Sequence, residues 1–337
     1  MKVKVRGKHK TTKSKSRPAK QRIRVKLPPE TKLATTVGYC SPSAIANYKK
    51  YQSCLSLAEL KTIAALYNKN QPEASKRIST SLFNNYESLY TALENQFKDT
   101  CGTGKVDHCW IEHPILKKDT HTAEYKMVES KYRPLMPPSW LKNAREWLNT
   151  FDILKVMKQY EEYDSKFEFL GVFPVDFQAV EDGVCIVNQM CNFTVAEFLK
   201  KGRNSFGVVF NLDKHNEPGS HWVSAYANFN PASRKFGLCY YDSGGVKPPK
   251  PIYTFLRQVR KEAIKIFNKD HLKNFNFKFN NVQHQFKNTE CGVFCMVFIT
   301  LCLEEQHCSY RDSRLKISTD DAINKMRKKL YRPPIKV

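Results

Sequence analysis

The sequence has no run of about 18 or more consecutive apolar residues, the length a membrane-crossing helix needs, so no helical span is expected. Acidic residues are scarce: 32 Asp and Glu stand against 56 Lys and Arg, for a net charge of +24. That imbalance favours polyanionic partners, nucleic acid first, through counterion release. Paired Cys-x2-4-Cys spacing is missing around Cys101, His108, Cys109 and His113, which argues against a zinc site there. No metal or other cofactor is expected. No stretch reads as a secretory leader, and the eleven cysteines are an odd number. Together these point to a reducing compartment.

What is present divides the chain. Residues 1–32 hold 13 Lys and Arg, one acidic residue (Glu30) and no aromatic residue. Such a segment cannot bury enough surface to offset chain entropy and reads as a disordered basic tail, either DNA-binding or simply solubilising. Residues 33–105 read as a helical arm domain. Ser56 and Glu59 have capping-box spacing ahead of Leu57, Leu60, Ile63, Ala64 and Tyr67. Leu82, Tyr86, Leu89, Tyr90, Leu93 and Phe97 follow at helical steps. Residues 106–139 read as an irregular connector. Residues 140–337 form the expected core. It opens on a helix containing Trp140, Trp147, Leu148, Ile153 and Val156.

From Phe167 the pattern turns to short strands: 169–173, 184–187, 207–212, 222–229 and 236–241, with 274–282 after a helical stretch at 252–267. Residues 291–305, CGVFCMVFITLCLEE, are apolar on every side and predict a buried central helix. The fold class is therefore α+β, a mixed or antiparallel sheet packed against a helix that starts at Cys291.

Cys291 heads that helix, where the dipole and unpaired N–H groups favour a thiolate. Gln285, six residues upstream, carries an amide able to donate to a developing oxyanion. His221 stands at the start of a strand, after the turn Glu217-Pro218-Gly219-Ser220, and can act as a general base and acid. Asp242 closes the next strand. If the two strands pair as an antiparallel hairpin, Asp242 comes beside His221 and can hold its tautomer. Each residue alone has an ordinary structural explanation; the ordered set carries the weight.

The set His-Trp, Tyr-Asp-Ser-Gly-Gly and Gln-x5-Cys-Gly resembles the adenovirus-protease and SUMO-protease clan of cysteine peptidases. Trp147-Leu148-Asn149 resembles that clan's Trp-Leu-Asn element, although Thr150 stands where SUMO proteases continue with Asp. The phrase VVFNLDKHNEPGSHWVSAY, the helical arm and the basic tail are similar to the processing proteases of large cytoplasmic DNA viruses, the African swine fever virus type. This resemblance implies a papain-like, permuted core with His221, Asp242, Gln285 and Cys291 as the catalytic residues. It also implies cleavage of viral structural polyproteins after Gly-Gly during virion maturation, with the enzyme in the virion and the host cytoplasm. Trp147 and Trp222 are candidates to line a narrow substrate groove, with core packing as their alternative. Competing readings are a SUMO or ubiquitin-like deconjugating protease, an acetyltransferase using a related His-acid-Cys set, and a non-catalytic nucleic-acid packaging protein.

Overall fold

The computed structural model describes residues 38–267, 275–304 and 320–334. The basic tail 1–32 lies outside the described residues. Ser56 and Glu59 open the helix Leu57–Asn70 as their spacing predicts: the Ser56 hydroxyl accepts from Ala58 N, and the Glu59 carboxylate accepts from Ser56 N at 2.7 Å. Asn85 caps the next long helix, Tyr86–Cys101, by accepting from Ser88 N at 2.9 Å. Leu60, Ile63, Leu89, Leu93 and Phe97 face one another in a shared apolar cluster.

The expected irregular connector at 106–139 takes a different form. Short helices span Asp107–Trp110, Pro114–Lys117 and Ala123–Glu129. Trp110, Leu116, Tyr125, Val128 and Tyr132 join the same cluster as the helices before them. Their apolar residues are spaced too closely for a long helical period to show, yet they complete one core. Asp107 fixes the junction from within it. Burial pushes its carboxyl up, opposed by hydrogen bonds from Ser53 Oγ (2.7 Å), Tyr132 Oη (3.1 Å) and Cys54 N (3.3 Å).

The cysteines also depart from expectation. The described residues contain disulfides Cys40–Cys54, Cys101–Cys109 and Cys185–Cys191. The chain brings these pairs to Cα separations of 5.1 to 6.5 Å, within bridging range. Cys101 and Cys109 are thus bound to each other rather than free for a metal. His108 packs against Tyr39, and His113 caps the helix Pro114–Lys117 by accepting from Ile115 N.

The expected helix through Trp140 and Val156 is broken. A 3-10 turn covers Pro138–Leu141, and a new helix starts at Thr150 and runs to Tyr163. Asn149 and Asp152 form a reciprocal capping box at 3.0 Å in each direction, leaving Trp147 and Leu148 in the loop ahead of it. Asn followed three residues later by Asp carries the stop-and-start signal.

Five strands then form one sheet in the order β1-β4-β5-β6-β7: β1 Phe167–Phe173, β4 Ser205–Asn211, β5 Trp222–Asn228, β6 Gly237–Tyr241 and β7 Asn276–Phe279. The inner pairs β4–β5 and β5–β6 are antiparallel, and the edge pairs β1–β4 and β6–β7 are parallel. β2 (Val180–Glu181) and β3 (Val184–Cys185) make a separate small hairpin. Strands β5 and β6 are buried throughout because both sheet faces are covered. One face packs on the central helix Cys291–Leu303 and the helix Thr150–Tyr163. The other packs on the helix Lys250–Ile266, through Ile252, Phe255, Leu256 and Val259. The last helix, Asp320–Leu330, lies against the central helix, with Ile323 and Leu330 in its cluster.

Candidate active site

The β5–β6 register sets the site. Ser224 pairs with Tyr241, so His221, one residue before β5, and Asp242, one residue after β6, emerge at the same end of the sheet. His221 Nε2 and Asp242 Oδ1 are 2.7 Å apart. The turn before His221 is self-tied: Asp213 accepts from Gly219 N at 3.1 Å and from the Ser220 hydroxyl.

Asp242 is buried, and every side of it is engaged. Gly244 N donates to Oδ1 at 2.8 Å and Val246 N to Oδ2 at 3.1 Å. Asn280 brackets its backbone, accepting from Asp242 N at 2.9 Å and donating to Asp242 O at 2.5 Å. Gly245 allows the turn. Its φ is +74°, and a Cβ there would sit 2.7 Å from the Val282 carbonyl carbon.

Cys291 is the first residue of the central helix and is 2% exposed. It lies near enough to His221 to act electrostatically on the imidazole. Burial of the imidazole acts to lower its pKa, but its bond to Asp242 and the interaction with Cys291 outweigh this and raise it to about 10. The neighbouring Cys295 differs in kind: burial inside the helix drives its thiol well above the usual range. Gly292 lets the helix start approach the sheet closely, since a Cβ there would meet Leu148 Cδ1 at 3.0 Å and Trp222 Cδ1 at 3.2 Å.

Gln285 is tied to the Asp242 turn. Ser243 Oγ donates to Gln285 Oε1 at 2.6 Å, and Gln285 N donates to Ser243 O at 2.9 Å. With its oxygen occupied, the side chain keeps its NH2 group as the available donor. A thiol, an imidazole braced by a carboxylate and a fixed amide donor are therefore gathered at one end of the sheet. Such a group can activate sulfur, protonate a leaving group and stabilise an oxyanion.

The two tryptophans separate. Trp222 is core: it is 7% exposed, and its Nε1 donates to Leu148 O at 3.0 Å. Trp147, adjacent to Leu148, is 41% exposed and keeps free surface. Ser243, Asn280 and Glu290 are parts of the arrangement that motif reading did not single out. Ser243 and Glu290 lie inside the quoted motifs, whereas Asn280 carries no local signal. Asp176, Glu181 and His215 also cluster within 4.8 Å, but His215 is already paired with Asp176 at 2.8 Å and with Glu181 at 3.5 Å.

Residues 208–334, which contain His221, Asp242, Gln285 and Cys291, match the Ulp1 protease family, C-terminal catalytic domain. The chain is a cysteine peptidase. A protein of Acanthamoeba polyphaga mimivirus named as a putative thiol protease is 26% identical over 259 residues, covering 74% of this chain and 80% of that protein. A cysteine protease of African swine fever virus is 24% identical over 247 residues, covering 70% of this chain and 86% of its own. A crystal structure of the African swine fever virus protease superposes with a TM-score of 0.55 at 20% identity, covering 79% of this chain and 95% of that one. The mixed helix-and-sheet fold of this cysteine peptidase is thus shared with a viral protease along most of its length.

Proposed function

We propose that the chain is a virion-maturation endopeptidase that cleaves viral structural polyproteins after Gly-Gly. The observation that carries this reading is the helix-start thiol Cys291 acting electrostatically on His221, with Asp242 2.7 Å from the same imidazole. In the proposed reaction His221 first takes the Cys291 proton, as its raised pKa favours, and the sulfur then attacks the scissile carbonyl carbon. The Gln285 amide and the Cys291 N–H stabilise the oxyanion. His221 then protonates the leaving amine, and water hydrolyses the thioester, regenerating the thiol. Asp242 holds the imidazole in place and supports its charged form.

The papain-like permuted core, the helical arm as a separate domain, and residence in the virion and host cytoplasm belong to the same proposal. They are supported by the viral relatives and by the separate apolar cluster of the N-terminal helices. Binding of DNA by residues 1–32 is a further part, motivated by their charge. Deleting the tail should weaken DNA binding and flatten its salt dependence; unchanged binding rules the tail out. SUMO deconjugation is the second reading, favoured by the Ulp1-family match. A cleavage profile on a Gly-Gly-Xaa peptide library and on a SUMO conjugate, with Cys291→Ala as control, separates the two. Full activity in Cys291→Ala would overturn the assignment of the nucleophile.

A further inference from the structure

The segment between Gln285 and Cys291 is anchored at both ends and exposed between. Gln285 and Glu290 are buried, while Phe286 is 74% exposed and Lys287 and Asn288 are also exposed. Both anchors are gripped by one face of the last helix. Residues 320, 324 and 327 recur at steps of four and three, so they share that face. Asp320, 4% exposed, accepts from Phe286 N at 3.1 Å and Lys287 N at 3.2 Å, directly after Gln285. Arg327, 3% exposed, donates through Nε to Glu290 Oε2 at 3.1 Å and through Nη2 to Thr289 O at 3.3 Å. Asn324 donates to Glu290 Oε1 at 2.8 Å, and Arg145 approaches that oxygen at 3.5 Å.

Glu290 is 0% exposed and immediately precedes Cys291. A carboxylate so buried needs its cation in place. The position of the helix start is therefore coupled to Arg327, whose guanidinium is itself seated on the Trp140 ring at 4.7 Å.

We propose that Asp320, Asn324 and Arg327 are positioning residues: the last helix sets the spacing between the oxyanion donor Gln285 and the nucleophile Cys291. This rests on the roles proposed above for those two residues. Because Asp320 Oδ1 meets both backbone N–H groups at 3.2 Å, an amide oxygen can replace it. Misplacement by about 1 Å can cost on the order of a hundredfold in turnover.

The test uses the full chain with two readouts: turnover of a Gly-Gly-Xaa peptide, and the rate of Cys291 alkylation by iodoacetamide followed by mass spectrometry of its peptide. Asp320→Ala and Arg327→Gln should each lower kcat roughly ten- to hundredfold with KM held, and should change the Cys291 alkylation rate. Asp320→Asn should stay within about threefold of the parent, a rescue that lost bulk stability alone would not give. If Arg327→Gln fails to fold, the Asp320 pair decides. Equal kcat in Asp320→Ala and the parent, or equal losses in Asp320→Ala and Asp320→Asn, overturns the proposal. Full activity in Cys291→Ala or Gln285→Ala instead overturns the roles on which it rests.

Discussion

Ser243→Ala isolates the link between the Asp242 turn and the amide of Gln285. Ser243 is 1% exposed, and its Oγ donates to Gln285 Oε1 at 2.6 Å. Alanine removes that donor but keeps the backbone bonds from His284 N and Gln285 N to Ser243 O, at 2.8 and 2.9 Å. The turn should hold, leaving a buried amide oxygen without its partner, which costs about 1–3 kcal/mol. For a chain of this size that is a fall in Tm of a few degrees. The amide also becomes free to rotate. Removing an oxyanion donor outright costs about 10²–10³ in kcat, so loosening it should cost less, roughly tenfold, with KM little changed.

The decisive assay is a double-mutant cycle on kcat with Ser243→Ala, Gln285→Ala and the pair. If Ser243 acts through Gln285, the double variant is no slower than Gln285→Ala. Losses that multiply independently would refute the argument, because Ser243 would then serve the reaction by another route.

Charge and covalent structure supply two more tests. His221 has a folded-state value of about 10 against an ordinary 6.5, so its contribution to stability is full below about 6.5 and is lost as pH rises through about 10. The Tm difference between the parent and His221→Gln should therefore be greatest below about pH 6.5, shrink as pH rises from there, and be lost above about pH 10, as read by calorimetry. Replacing both Cys40 and Cys54 by Ser removes a crosslink of sequence separation 14 and should cost about 3 kcal/mol by the chain-entropy estimate. Denaturant unfolding of the double variant against the oxidised parent measures it.

Much of the site could be read from the sequence because each part is local. His221, Asp242, Gln285 and Cys291 carry turn and helix-start chemistry within a few residues, and the hairpin between β5 and β6 supplies the one long-range step. Strand positions were legible because apolar alternation and turn residues mark them, although β3 proved shorter than its apolar run. The helix expected through Trp147 failed where a capping box at Asn149 and Asp152 overrode apolar periodicity. The helices within 106–139 leave little trace in the sequence because one as short as Asp107–Trp110 shows less than two turns of period. Asn280 and Arg327 act through contacts 38 and 37 residues away, and no spacing rule reaches that far. The disulfides were missed for the same reason: cysteine count says nothing of which pairs the fold brings within range.

The seating of Glu290 bears on how the enzyme comes into being. Its cation, Arg327, is 37 residues further along the chain. Arg332 reaches back still further, to Glu112 at 2.6 Å and to Arg133 O at 3.0 Å, 199 residues earlier. A ribosome delivers all five strands and the nucleophile before it delivers these arginines. Until they arrive, Glu290 lacks the buried counter-charge of Arg327, and burying it would be unfavourable. A nascent chain can thus assemble its sheet while the segment ahead of Cys291 still lacks its clamp. Peptidase capability should therefore mature late, guarding both the growing chain and its neighbours from premature cleavage.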